Sequence, residues 1–207
     1  TVNLYDDLRG KLPEVDFDSV APAVAAEPPP DVMLVLPPPW GIDFPPLGLA
    51  TLTAALRQRG LRVHQTDLNV QWYDAAGDHL RTYWELDHLK FWSAEGRLDE
   101  IIAFFAPQIR AFVDEVATRR PRAVGFSTNE SNLPLAVHLG QLIKDASPDV
   151  TVILGGPGVH WSADRERIGA VADFCLIGEG EITLPALLEA LANGEDTFFF
   201  YKMNICP

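Results

Sequence analysis

The sequence predicts an α/β protein: a doubly wound parallel sheet, Rossmann-like or flavodoxin-like, with helices on both faces and a helical insertion. Two observations predict it. Short apolar runs recur along the chain and stop abruptly at Pro, Gly or Ser, and segments with leucines at helical spacing stand between them. Strands alternating with helices at this spacing imply right-handed βαβ crossovers, which cover a parallel sheet on both sides. The 207 residues correspond to about one ordinary domain and bury a core without staples.

Residues 1–30 carry five prolines and six acids with little periodicity, and read as an extended N-terminal arm. Val32-Met33-Leu34-Val35-Leu36 is a buried strand ended by Pro37-Pro38-Pro39. A helix follows from Pro45-Pro46 through Leu49, Leu52 and Leu56 to Gly60, with Arg57 and Arg59 in its last turn. Arg62 to Thr66 is a second strand and Ala123 to Ser127 a third, the latter followed by a helix with Leu135, Leu139 and Leu142 on one face. Val150 to Leu154 and Phe174 to Ile177 supply the fourth and fifth strands, and a last helix runs from about Glu181 to Ala192 before Asn193-Gly194.

The insertion at 70–121 stands where a simple unit needs one helix. Its second part sets Ile102, Phe105, Ile109, Phe112 and Val116 on one face, a helix bent at Pro107. Its first part holds Trp72, Tyr73, Tyr83, Trp84, Phe91 and Trp92, which suits a helical excursion packed on the sheet better than a ligand lid, because aromatic stripes are usually core. The tail Phe198-Phe199-Phe200-Tyr201 reads as a further strand, or the start of a linker over 196–207.

Composition removes several classes. The balance of 16 basic and 29 acidic side chains, net −13, argues against nucleic acid or an anionic membrane as partner. No run reaches the roughly 18 apolar residues of a membrane helix, and no signal-peptide pattern opens the chain. Two cysteines, Cys175 and Cys206, exclude a disulfide scaffold, point to a reducing cytoplasm, and are too few for a cysteine-held iron–sulfur or zinc site. Thr1 in place of Met suggests a piece of a longer protein.

In an open parallel sheet a ligand sits at the carboxyl ends of the strands. The loops there are Pro37-Pro38-Pro39-Trp40-Gly41 continuing to Leu47 and Gly48, Asp67-Leu68-Asn69, Ser127-Thr128-Asn129-Glu130-Ser131, Gly155-Gly156-Pro157-Gly158-Val159-His160, and Gly178-Glu179-Gly180-Glu181. Small residues and neutral hydrogen-bonding groups dominate them, and no nucleophile–base pair or metal-ligand set stands out, so no catalytic residue is assigned. A dinucleotide site is unlike this, since prolines without N–H groups occupy the phosphate loop. A P-loop is absent, and Ser127 stands where a response-regulator receiver carries its phosphoacceptor Asp.

What remains resembles the N-terminal cobalamin (B12)-binding domain of B12-dependent radical S-adenosylmethionine (SAM) enzymes. The resemblance spans 31–195 and rests on Leu34-Val35-Leu36-Pro37-Pro38 before Pro45-Pro46-Leu47-Gly48-Leu49-Ala50, Asp67-Leu68-Asn69, Val124-Gly125-Phe126-Ser127, Ile153-Leu154-Gly155-Gly156 and Gly178-Glu179-Gly180-Glu181. It implies a corrin over the strand ends and a dimethylbenzimidazole tail swung off cobalt and buried beside the sheet. Ser127 then resembles the serine that hydrogen-bonds the base, with Thr128 and Asn129 continuing its loop. Gly155 and Gly156 resemble the paired glycines that leave room for the tail, and Gly178 to Glu181 would offer N–H groups to the nucleotide loop. The loop Asp43-Phe44-Pro45-Pro46-Leu47-Gly48 lacks the histidine of the methionine-synthase type, which implies base-off cobalamin without a histidine ligand from this loop.

Each residue also has a plainer reading. The glycines of 155–158 suit a tight strand-to-helix turn, His160 a solvated loop, Asp67 and Asn69 local caps, Glu179 and Glu181 acids at a helix start, and Cys175 an inert core thiol. Radical chemistry needs C-x-x-x-C-x-x-C, which two thiols cannot supply, so the resemblance implies a radical SAM catalytic domain, fused or separate, that holds SAM and a 4Fe-4S cluster. The expected function is the cobalamin-binding part of such an enzyme, a methyltransferase in which cobalt carries the methyl group. The alternatives are a stand-alone corrinoid carrier or sensor, and a doubly wound domain for another ligand or a protein partner.

Overall fold

The computed structural model describes residues 28–94, 96–162, 165–197 and 200. Apart from 28–30 and Phe200, the expected arm and the expected tail strand lie outside the described residues. Five strands, β1 (Val32–Leu36), β2 (Val63–Asp67), β3 (Ala123–Ser127), β4 (Thr151–Gly155) and β5 (Phe174–Leu176), form one sheet in the order β2-β1-β3-β4-β5. Every pairing is parallel, with Val32 opposite both Val63 and Ala123, Ser127 opposite Gly155, and Gly155 opposite Leu176. This is the doubly wound fold the alternation predicts.

Both faces are buried, which is why β1 reads as a continuous apolar run: Met33 and Val35 enter one core and Val32, Leu34 and Leu36 the other, none more than 2% exposed. Helix α1 (Leu47–Gln58) contributes Leu49 and Leu56 to the second core, and α9 (Gly180–Asn193) contributes Leu184, Leu187 and Leu188. The opposite face carries α5 (Ala106–Arg119) and α6 (Leu133–Ala146). Short helices α7 (Pro157–Trp161) and α8 (Arg165–Val171) connect β4 to β5.

The insertion begins at the end of β2 with α2 (Leu68–Ala75) and α3 (Asp78–Arg81). Two 3-10 segments, Thr82–Trp84 and Leu86–Ser93, lead to α4 (Leu98–Phe104). The helix expected to bend at Pro107 is instead two helices. The chain breaks at Phe105 and Pro107 sits in the first turn of α5, where its missing N–H costs nothing. The aromatic part is core: Trp72 stacks on Phe105 at 5.0 Å, Trp92 stacks on Phe105 at 5.9 Å, and Trp84 stands edge-on to Trp92 at 4.8 Å. These rings join the cluster containing Met33 and Val35, so the insertion packs on the sheet rather than swinging over a site.

At the opposite end of the sheet from the loops discussed above, Asp31 accepts hydrogen bonds from Arg62 Nε at 3.1 Å, Arg62 Nη2 at 3.0 Å and the Arg62 backbone N–H at 2.9 Å. The Arg62 guanidinium holds its carboxyl below the ordinary carboxylate range, against the opposing effect of burial. A depressed pKa means the contribution is present above the unfolded-state value and lost as pH falls through the folded-state value. Asp31→Asn is therefore expected to destabilise the protein at neutral pH, with the difference from wild type shrinking below about pH 4. Urea unfolding at a series of pH values reads both. No helix among the described residues is long and apolar enough to cross a membrane.

Candidate functional site

The strand order reverses between β1 and β3, where loops leaving the two carboxyl ends diverge. On the α1/α9 face the side chains toward those ends are small: β3 presents Ala123, Gly125 and Ser127, and β4 presents Gly155 after Ile153. With no side chain at 125 or 155, the space between these strands and the two helices is not filled. A cavity of about 380 Å³ remains between them. Its inner part is lined by Leu34, Leu49, Leu52, Gly125, Ile153 and Leu184, and its outer part by Trp40, Gly48, Ser127, Thr128, Gly155, Gly156, Pro157, Gly178, Gly180 and Glu181.

The two glycines after β4 do different things. A Cβ on Gly155 would meet nothing nearer than the Leu176 carbonyl at 3.7 Å, so its missing side chain is empty cavity. Gly156 has φ +103°, and a Cβ there would lie 2.4 Å from the Thr128 carbonyl oxygen. Its bareness lets two loops touch. Gly158 is similar: a Cβ would lie 2.5 Å from the Asn129 carbonyl oxygen, while its N–H donates to Thr128 O at 3.1 Å.

Three polar residues lock the rim. Thr128 donates to Gly155 O through its N–H at 2.7 Å and its hydroxyl at 2.9 Å. Asn129 Oδ1 accepts from the N–H groups of Ser131 and Asn132. The side chain of Asn132, fully buried, accepts from Asn129 N at 2.7 Å and donates to Pro37 O at 3.1 Å, tying the first loop to the third. Ser127 differs. Half-buried at the cavity wall, its hydroxyl meets no hydrogen-bond partner among the described residues.

Eight predicted residues lie outside the lining. Asp67 caps α2, accepting from Val70 N at 3.0 Å. Asn69, 1% exposed, accepts from Trp40 N at 2.7 Å and from Trp84 Nε1 at 2.6 Å, so it braces the first loop against the insertion from below. Asn129 and Gly158 build the turns just described. Gly41 lies in the first loop beside the Phe44 ring, the 70%-exposed Leu47 opens α1, His160 is on α7, and Glu179 caps α9 through its carbonyl. None of His64, His79, His88, His138 and His160 lines the cavity. Burial pushes the Cys175 thiol up to about 12, so it stays protonated and inert.

The sequence assigns no place at the site to Asn132, or to Trp84, which it marks only as part of the aromatic core stretch. Asn132 was legible as an Asn immediately before a helix, a position that favours a capping side chain. Nothing in the sequence marks Asn69 as the partner of Trp84, fifteen residues away. Asn69→Ala removes the acceptor shared by two N–H groups and is expected to cost about 2 kcal/mol or more, since unpaired buried donors lose their hydration uncompensated. A lowered urea midpoint with unchanged slope is the expected result.

The sequence profile of the B12 binding domain family matches residues 92–188, which include the carboxyl ends of β3, β4 and β5. Two solved structures of the radical SAM methyltransferase TsrM from Kitasatospora setae share the fold. One, with tryptophan substrate and the SAM analogue aza-SAM bound, is 18% identical with a TM-score of 0.53, over 81% of this chain and 27% of that one. The other, with cobalamin and a 4Fe-4S cluster bound, is 20% identical with a TM-score of 0.54, over 80% of this chain and 27% of that one. This chain thus spans about a quarter of the length of those proteins. No curated protein sequence matches it.

Proposed function

We propose, for a chain whose residues 92–188 match the B12 binding domain family, that the cavity beside β3 and β4 receives the dimethylbenzimidazole tail of base-off cobalamin. The corrin would then lie over the strand ends. The observation that carries this reading is the Ser127 hydroxyl, free of any described partner, beside a glycine-cleared apolar cavity. Such a cavity suits an uncharged heterocycle, because hydroxyls and clearance bind it without the desolvation that charge would require. Its volume falls in the range of small-molecule sites.

The chain's own residues divide the work. Gly155 clears the path of the base, Ser127 donates to its ring nitrogen, and the N–H groups at the start of α9 face the nucleotide loop from Gly178 to Glu181. Asn69, Asn129 and Asn132 hold the first and third loops in place around it. No group of three or more His, Cys, Asp or Glu suited to a metal ion occurs among the described residues, and the protein residues named here act on the organic part of the cofactor. Cobalamin bound there supplies cobalt as a methyl carrier.

Residues 31–195 would form the cobalamin domain, following an arm over 1–30 and leading at 196–207 toward a radical SAM domain, fused or separate. That domain would hold SAM and the 4Fe-4S cluster, and the whole would act as a cytoplasmic methyltransferase. The likeness of fold to TsrM supports this arrangement.

Titration with hydroxocobalamin tests the reading: saturable binding with the absorbance spectrum of the base-off form is expected, and a colourless protein after desalting overturns it. Ser127→Ala is expected to weaken binding about fivefold, the worth of one hydrogen bond near 1 kcal/mol.

A further inference from the structure

We infer that the inner half of the cavity selects cobamides whose lower base is a benzimidazole and discriminates against those carrying adenine; the inference rests on the placement of the cofactor tail proposed above. Leu34, Leu49, Ile153 and Leu184 line that half and are at most 3% exposed, while Gly125 adds no side chain. The polar side chains of the lining are elsewhere or spent. Thr51 and Glu181 are exposed at the mouth, and the Thr128 hydroxyl donates to Gly155 O at 2.9 Å. Ser127 is left, two residues beyond Gly125 on the same face of β3, with a hydroxyl that no described group engages.

A benzimidazole detached from cobalt has one ring nitrogen that needs a hydrogen bond, and one hydroxyl matches it. Adenine in the same position brings two further ring acceptors and an exocyclic amine with two N–H groups. Among leucines and an isoleucine these groups shed water without replacement, and a site that leaves polar groups unpaired rejects the ligand that carries them. The methyl groups of dimethylbenzimidazole, by contrast, gain apolar contact there.

The test is an absorbance and tryptophan-quenching titration of the purified chain with three ligands: hydroxocobalamin, the corresponding cobamide with adenine as lower base, and cobinamide, which has no nucleotide. Cobalamin is expected to bind about tenfold or more tightly than the adenine cobamide, and more tightly than cobinamide. Ile153→Thr, which sets a hydroxyl in the inner wall, is expected to narrow the preference, whereas Ile153→Val, which only removes volume, leaves it. Each preference is a ratio of two affinities on one protein, so partial unfolding of a variant cancels. Equal affinity for cobalamin and the adenine cobamide overturns the inference and leaves the cofactor reading standing. An unchanged ratio in Ile153→Thr overturns its assignment to this wall. Cobinamide binding as tightly as cobalamin, or no corrinoid binding at all, overturns the tail placement and the inference with it.

Discussion

Gly155→Val is expected to abolish cobalamin retention while leaving the protein folded. Position 155 is the last residue of β4, paired to Ser127 on one side and Leu176 on the other, and its side-chain direction is that of Ile153, into the cavity. A Cβ there has no neighbour closer than 3.7 Å, so the backbone admits a side chain without strain. Valine suits a strand, and its two methyl groups fill space that the cofactor tail would otherwise occupy. The expected result is a urea midpoint close to wild type together with loss of stoichiometric corrinoid after desalting. Retention of cobalamin by the folded variant would show that the tail takes another route.

Gly156→Ala is expected to do the opposite: to destabilise the protein even before any ligand is added. With φ at +103°, alanine adopts a conformation that L-residues rarely occupy, and strain of that kind costs about 1–3 kcal/mol. The new Cβ would also stand 2.4 Å from a backbone oxygen of Thr128, which cannot rotate away as a side chain would. The loop after β3 must therefore move, along with the hydrogen bonds that Thr128 N and Oγ1 make to Gly155 O. Both terms act in the free protein, so a lower thermal midpoint without cobalamin is the expected reading. An unchanged midpoint would mean that the two loops separate at little cost. Adjacent and identical in the sequence, these glycines are distinguishable by experiment because one borders space and the other borders backbone.

The fold was legible because its signals are local. Apart from the more polar edge strand β2, the strands are short apolar runs, and the leucines of α1 and α6 repeat at the helical period, so local pattern recovers them within a residue or two. Pro107 misled because a proline ends one helix and begins another with equal ease, and only the packing of Phe105 under Trp72 and Trp92 settles which. In the candidate site, Ser127, Gly155 and Gly178 were visible as strand-end residues with small or hydroxyl side chains. The partners of the bracing residues were not: Asn69, Trp84 and Asn132 act across fifteen to ninety-five residues of chain, a distance over which sequence patterns carry no partner information.

By itself the sequence determined the alternation of strands and helices, hence a parallel sheet with its glycine-rich loops at the carboxyl ends of the strands, because apolar period and turn chemistry are properties of neighbouring residues. Tertiary structure alone decided which face opens into a cavity, which glycine borders that cavity and which a neighbouring loop, and which asparagines face inward as braces. Those outcomes depend on the register of β3 against β4 and on how closely α1 and α9 approach the sheet. Register and approach are set by packing between segments far apart in the chain, where a few tenths of an ångström separate an empty slot from a closed core.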